Sequence, residues 1–480
     1  MLFSSLVFLF IFLPLCLIIY HVLPKKQLMY RNIFLLVVSL IFYAWGGTWY
    51  LLLMLSVITL NYLGALWISN DNKKQSKPKK YKLILLLIAN LCILFYFKYF
   101  NFFIDIIEGI TSRNINIFEV FLPIGISFYL FQAISYVIEV YKKKVNVQKN
   151  FFKLALYISL FPALIAGPII KYADLEQQIN NRIHSSYNFY HGVKRFIYGL
   201  VKKVLIANVL GESVDCIFSN DPSTLGISIT WIGIIFYALQ IYYDFSGYSC
   251  MAIGLSKMFG FNIKENFNHP YISTSITEFW KRWHISLTSW FREYVYYPLG
   301  GNRKGTFRTY INIIIIFLVS GIWHGANYTF IIWGAFYAIF IVIERMILGH
   351  TALKKSHFFN WFYTIIVVLI AWVFFRSPDI GYALQYIMAM FGYFGSGQTP
   401  ALYLTKNSIL VLPFAILFCG FIQNWTIKLF SLKIVGNIKS KKWANNLLFF
   451  TEVICLFVLF GLALLMLANN TYNPFIYFQF

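Results

Sequence analysis

Between Thr309 and Ile343 the chain has no Lys, Arg, Asp or Glu, and a single histidine, His324, in the segment GIWHGAN at 321–327. An ionisable group at membrane depth is costly unless it faces a cavity or a partner, which makes it a candidate for function. Imidazole titrates near working pH and suits general-base work. Gly321 and Gly325 flank His324 and permit a break in the helix, a geometry tolerated at that depth where backbone lines a cavity. A core histidine bonded to a backbone carbonyl accounts for the same residue equally well. Asp244 is a parallel case: it is the only charged residue between Pro222 and Ser256, within YALQIYYDFSGYS. Gln240 lies four residues earlier, on the same face of a continuous helix. Tyr242, Tyr243 and Tyr248 add hydroxyls. The group reads either as a hydrogen-bonding hub that pins helices together or as part of a reacting site. Glu452 is also alone in an apolar run, and no role suggests itself.

A third set of residues occupies 277–305, TEFWKRWHISLTSWFREYVYYPLGGNRKG. Trp280, Trp283, Leu287, Trp290, Phe291 and Tyr294 recur at steps of three and four. Lys281, Arg282, Arg292 and Glu293 fall on other faces, and His284 lies next to the apolar stripe. This spacing predicts one amphipathic helix with tryptophan at interfacial depth. Its basic residues, with Arg303 and Lys304, would suit a phosphate-rich ligand such as a coenzyme. Anionic lipid at the membrane surface would suit them as well.

Other chemistries find no support. There is no phosphate-binding G-x-x-x-x-G-K-[ST] loop, no Rossmann glycine set after a strand, and no G-x-S-x-G nucleophile turn. No His pair has metal-ligand spacing, so no metal is expected. Six cysteines are scattered without a C-x-x-C, which indicates neither a zinc site nor a disulfide framework.

The elements that must position these residues are apolar helices. Of 480 residues, 59% are hydrophobic, 20% aromatic and only 12% charged. Soluble domains are more polar than this, and a membrane β-barrel lacks long apolar runs. Runs at 2–23, 32–46, 49–68, 83–105, 119–140, 151–170, 225–249, 309–322, 327–345, 359–375, 407–427 and 445–468 imply an all-α, polytopic integral membrane protein. About eleven transmembrane helices are expected. No linker or repeat divides the chain, so residues 1–480 read as a single transmembrane domain in the lipid bilayer.

The net charge is +23. Its lysines flank the apolar runs, which the positive-inside rule explains without nucleic acid. The Lys-rich stretches 70–82, 141–150 and 428–442 should be cytoplasmic, which puts the N- and C-termini outside. HGVKRFIYGLVKKVLIANVL (191–210) reads as an interfacial amphipathic helix, with Lys194, Arg195, Lys202 and Lys203 largely off its apolar face.

The block from YYDFSGYS through TEFWKRWHISLTSWFREYVYYPLGGNR, followed by SGIWHGANYTFIIWG, closely resembles the membrane-bound O-acyltransferases. PIGISFYLFQAISYVIEVY (123–141), FPALIAGPIIKY (161–172) and YGLVKKVLIAN (198–208) match as well, so the resemblance covers nearly the whole chain. It is strongest to the bacterial subgroup that O-acetylates alginate or peptidoglycan. It implies helices around a tunnel, with interfacial or re-entrant segments, in the bacterial cytoplasmic membrane. Acetyl-CoA is the implied acyl donor, as a substrate rather than a permanently bound cofactor. His324, with Trp323 beside it in the WHG motif, takes the place of the histidine regarded as essential, and His284 that of the second motif histidine. Arg282, Trp283, Arg292, Asp244 and Gln240 are expected to bind the donor or support the site. A separate extracytoplasmic SGNH-type acetyltransferase or esterase is the implied partner, passing the acetyl group to a polysaccharide hydroxyl. Two positions depart from the pattern: Cys250 stands where acetylating relatives commonly have Asp, and Glu139 where Asp is common.

The chain ends NPFIYFQF, residues 473–480. This segment is similar to the C-terminal motif of the small partner protein in D-alanylation systems, which makes Tyr477 a candidate acyl carrier on an extracytoplasmic tail. A covalent relay would split one hard transfer into two easier ones. An aromatic tail anchored at the membrane interface accounts for Phe475, Phe478 and Phe480 without chemistry. Two further readings stand beside polysaccharide acetylation. One is D-alanyl or lipid acyl transfer. The other is a transporter or flippase, which the absence of a second WHG or FSGYS segment disfavours.

Overall fold

The computed structural model describes residues 1–24, 27–73, 79–113, 115, 118–347, 357–395, 400–422, 442–469 and 472–476. Tyr477 and Lys428, Lys433, Lys439 and Lys441 lie outside them. Among the described residues the elements are helices, and none is a strand. Seven helices among the described residues are long and apolar enough to cross a membrane: Thr48–Asn70, Lys80–Thr111, Ile227–Met258, Thr306–His324, Tyr328–Met346, His357–Arg376 and Phe449–Asn469. Five shorter apolar helices accompany them. The chain is therefore an all-α polytopic membrane protein, with seven of the expected spans present at full length among the described residues.

The 151–170 run shows why such a count slips. Its apolarity predicts a span, but the segment folds as two short helices, Phe151–Ser159 and Phe161–Leu164, turned at Leu160. Pro162 has no N–H to continue the helical ladder. Every residue from 154 to 170 is nonetheless buried, so the apolarity serves enclosure by protein.

The chain divides into two compact units, 1–196 with 251–264, and 197–250 with 265–480. The first contains the Ile126–Tyr141 helix, buried on every side from Ile126 to Val140, with Ser127, Gln132, Ser135 and Glu139 enclosed among its apolar residues. Several of this unit's buried polar groups are paired. Asn61 and Asn90 exchange amide hydrogen bonds at 2.9 and 3.0 Å. Arg31, fully buried, donates to the Leu23 carbonyl at 2.7 Å and lies over the Tyr20 ring. The Tyr20 hydroxyl donates to the Phe259 carbonyl at 2.7 Å.

The second unit holds an aromatic core that includes Phe279, Trp280, Trp283, Trp333, Tyr337 and Trp372. Its tightest crossing joins the helices Thr306–His324 and Tyr328–Ile347. A Cβ on Gly321 would lie 2.3 Å from the Phe330 carbonyl oxygen, and one on Gly334 2.3 Å from that of Phe317. Gly321 therefore serves close helix packing and does not break the helix, which runs through it to His324. Gly325 ends the helix in extended backbone, and a Cβ there would strike the Phe330 ring.

Candidate active site

His324 is the last residue of the Thr306–His324 helix and is 4% exposed. Its imidazole meets the rings of Trp323, Trp333 and Phe375 edge-on, with centroids 4.8, 4.9 and 5.2 Å away. Trp333 and Phe375 come from the helices that follow, Tyr328–Ile347 and His357–Arg376. The histidine that sequence marked at membrane depth thus sits at a helix end inside an aromatic box.

His284 is reached differently. The apolar stripe within 277–305 predicts one amphipathic helix, but the chain forms two, Ile276–Arg282 and Ile285–Phe291, broken at Trp283–His284. His284 has φ +43°, a left-handed conformation unfavourable for a residue with a Cβ. Pairing with an upstream loop holds it there. The Asn268 N–H donates to the Arg282 carbonyl, and the Ile285 N–H to the Asn266 carbonyl, both at 2.9 Å. The Asn266 side-chain oxygen lies 3.2 Å from His284 Nδ1 and accepts from the Ser286 N–H and hydroxyl at 3.1 and 2.8 Å. Asn266 and His284 are both fully buried. Burial pushes the His284 imidazole down to about 3, so it is neutral at ordinary pH. Periodicity misses this break because a stripe at three- and four-residue steps scores the same across a kink.

Trp280, Trp283 and Trp290 are buried rather than interfacial. Two carboxylates build the start of the first short helix. Glu344 accepts from the Ile276 and Thr277 N–H groups at 2.6 and 3.2 Å. Ser275 caps the helix, its hydroxyl accepting from the Glu278 N–H at 3.0 Å, and the Glu278 carboxylate reaches back to accept from the Thr274 N–H and hydroxyl, both at 2.9 Å. Glu344 is a positioning residue the sequence reading missed; its one signal is that it ends the charge-free stretch.

The two histidines share Trp323, whose ring lies 6.3 Å from His284 and 4.8 Å from His324. Trp283 meets Trp372 in the adjoining core at a tilt, with ring centroids 5.0 Å apart. Arg282 is committed to Glu278 in an ion pair at 2.9 Å and to the Asn268 carbonyl. Arg292 is exposed and edges a cavity of about 140 Å³ whose wall includes Trp280, Leu287, Phe291 and Phe317.

Asp244 lies 2% exposed on the continuous Ile227–Met258 helix, one residue before Phe245, whose ring meets His284 at 4.7 Å. Its partner is Lys203, at 2.7 Å and equally buried. Lys203 therefore does not lie on a solvated helix face, as the 191–210 pattern suggested. The chain widens there into a π-helical stretch, Lys202–Asn208, and such stretches shift the side-chain register. A Cβ on Gly247 would lie 2.8 Å from the Gly199 carbonyl oxygen, so glycine permits the close approach of these helices. Gln240 is buried beside Gly211. Cys250 is buried with its Sγ 3.6 Å from Lys202 Nζ. The last described residues, 472–476, also pack here: Phe475 and Ile476 are 3% and 4% exposed. Phe475 is thus enclosed by protein, not anchored in a lipid interface.

Comparison with known proteins follows this geometry. The family model for membrane-bound O-acyltransferases matches residues 83–380. A probable alginate O-acetylase of Pseudomonas putida is 41% identical over the full length of both chains. The peptidoglycan O-acetyltransferase of Helicobacter pylori is 36% identical over 82% of this chain and 80% of its own. The teichoic acid D-alanyltransferase of Bacillus subtilis is 29% identical over 45% of this chain and 57% of its own.

Proposed function

Because the chain belongs to the membrane-bound O-acyltransferase family and is a multi-pass membrane acyltransferase, we propose that it takes acetyl from acetyl-CoA and delivers it, through a separate extracytoplasmic partner, to hydroxyls of a polysaccharide. The observation that carries the reading is His324 enclosed by aromatic rings at the end of a span-length helix that carries no Lys, Arg, Asp or Glu from Thr309 onward, one residue from a tryptophan that also meets His284. Full-length similarity to O-acetylating relatives favours acetyl over D-alanyl transfer, since the D-alanyltransferase aligns over less than half of the chain.

In this mechanism His324 is the general base. It removes the proton from an acceptor hydroxyl as that oxygen attacks the thioester carbonyl. The C–S bond breaks, the thiolate leaves and takes a proton, and an acetyl ester and free thiol remain. The thioester supplies the driving force. Neutral His284, held by Asn266, orients donor or acceptor oxygen. Arg292 at its cavity edge is the better phosphate ligand of the two arginines, because Arg282 is already paired. Tyr477 is the proposed acceptor of the first transfer; its support is that Ile476, next to it in sequence, is buried and bonded to Asp244. The partner then moves acetyl from the phenol to the polymer.

Incubation with isotope-labelled acetyl-CoA, followed by intact-mass measurement and peptide mapping, tests this. Label on the C-terminal peptide, absent in His324→Ala, supports donor, base and carrier together. Polymer labelling in the presence of a partner, without label on the chain, retains the transferase and removes the carrier. No transfer under any partner condition overturns the reading.

A further inference from the structure

The segment 472–476 is held residue by residue. Tyr472 donates its hydroxyl to Asp215 Oδ2 at 2.5 Å, and Arg376 pairs with the other oxygen of that carboxylate at 2.8 Å. Burial, reinforced by this carboxylate, pushes the Tyr472 phenol up, so it stays the donor. Asn208 donates to the Asn473 side-chain oxygen at 3.2 Å. Lys203 donates to the Pro474 carbonyl. Phe475 lies on the Tyr248 ring at 4.8 Å. The Ile476 N–H donates to Asp244 Oδ2 at 2.9 Å.

The pattern has a physical logic. A buried ion pair is worthwhile only when its remaining protons and lone pairs are also satisfied. Lys203 and Asp244 are both almost fully buried. The tail offers a carbonyl to the ammonium and, two residues on, an amide N–H to the carboxylate, so peptide polarity matches pair polarity. Gly211 leaves the room: a Cβ there would lie 2.6 Å from Gln240 Nε2 and 2.9 Å from the Tyr472 hydroxyl. A pair serving only to join helices would have no need of a peptide.

We propose that the buried Lys203–Asp244 pair is a peptide-binding clasp whose ligand is the chain's own C-terminal segment, and that both residues act as positioning residues for acyl transfer. The functional half of this rests on the acetyltransferase reading; the binding half does not. The clasp recognises a carbonyl at one position and an N–H two residues later, flanked by aromatic side chains that fill the enclosed space.

The test is hydrogen exchange of the C-terminal peptide, read by mass spectrometry on the full chain in lipid nanodiscs without donor, alongside the acetyl-transfer rate. Ile476→Pro removes the amide donor while keeping both members of the ion pair, and its thermal midpoint reports whether the fold tolerates loss of the buried Ile476 side chain. Exchange of the remaining amides in the segment should quicken roughly tenfold to a hundredfold, the range for losing a hydrogen bond to a charged group. Acetyl transfer should fall while the thermal midpoint holds. The charge swap Lys203→Asp with Asp244→Lys keeps an ion pair but presents each tail group with the wrong polarity. It should release the tail, whereas a purely structural pair would be restored by the swap. Unchanged exchange in Ile476→Pro overturns the clasp, as does a swap variant with normal protection. Faster exchange with an unchanged transfer rate overturns the positioning role. A wild-type chain inert toward acetyl-CoA would overturn the acetyl reading and leave the clasp decided by exchange alone.

Discussion

Asn61 and Asn90 in the first unit, and His284 and His324 in the second, are all polar side chains buried in apolar surroundings, yet they meet different company. The asparagines answer each other's donors and acceptors across two helices. Arg31 likewise finds backbone carbonyls within ten residues. His324 is boxed by the rings of Trp323, Trp333 and Phe375, and His284 is held in a left-handed conformation by a buried asparagine. Depth in an apolar helix therefore does not by itself separate structure from chemistry. The partners differ: a reciprocal amide pair is closed to a substrate, whereas in the proposed site aromatic walls and a strained backbone hold the rings.

The sharpest way to break this contrast is His324→Ala. If His324 is the base, transfer should fall roughly 10²- to 10⁴-fold, with the protein still inserted at its normal level. Asn61→Ala should change turnover little. Comparable losses in the two variants would show that burial alone sets the sensitivity.

His284 gives the next effect, through pH. Its folded-state value of about 3 lies far below the ordinary 6.5. As pH falls below about 6.5 the unfolded chain takes a proton that the folded chain refuses until about 3, so stability drops through that window. The slope approaches about 1.4 kcal/mol per pH unit from this group. Thermal unfolding followed from pH 7 to pH 4.5 should show the decline, and His284→Gln should flatten it. Asn266→Ala then isolates the holder from the held. It strips the acceptor shared by His284, the Ser286 N–H and the Ser286 hydroxyl. A reduction in kcat of about tenfold with little change in KM is expected, from misorientation worth about 1–3 kcal/mol.

Much of this was legible beforehand because its causes are local. Apolar run length located the long helices, and the cost of a lone ionisable group singled out His324 and Asp244. What stayed hidden depends on contacts distant in sequence. Lys203 looked like one of several exposed lysines on an amphipathic helix. Only the π-helical widening and the approach of Asp244 show that it is buried. The break at His284 is imposed by Asn266–Asn268, a loop whose side chains carry no helical period. Gly321 read as permitting a break in the helix, and the close approach of the Phe330 carbonyl shows that it serves packing instead. The terminal segment showed its aromatic residues but not the buried ion pair that receives it.

The smallest effect is the most discriminating for the structural side of the comparison. Asn61→Leu alone strands the Asn90 amide, and should lower stability by about 1–3 kcal/mol. A membrane interior can soften this toward about 0.6 kcal/mol, because freed polar groups find other partners there. Asn61→Leu with Asn90→Leu removes both halves, and should recover most of the loss because no buried group remains unsatisfied. Acetyl transfer should stay near wild type throughout the cycle. The histidine site should behave oppositely: combining His324→Ala with His284→Ala should not restore what either removes, because the two rings flank one tryptophan in service of a reaction rather than satisfying each other. Recovery in the asparagine cycle without recovery in the histidine cycle would separate a lock from a working site by measurement. Recovery in both would reduce the histidines to a second lock.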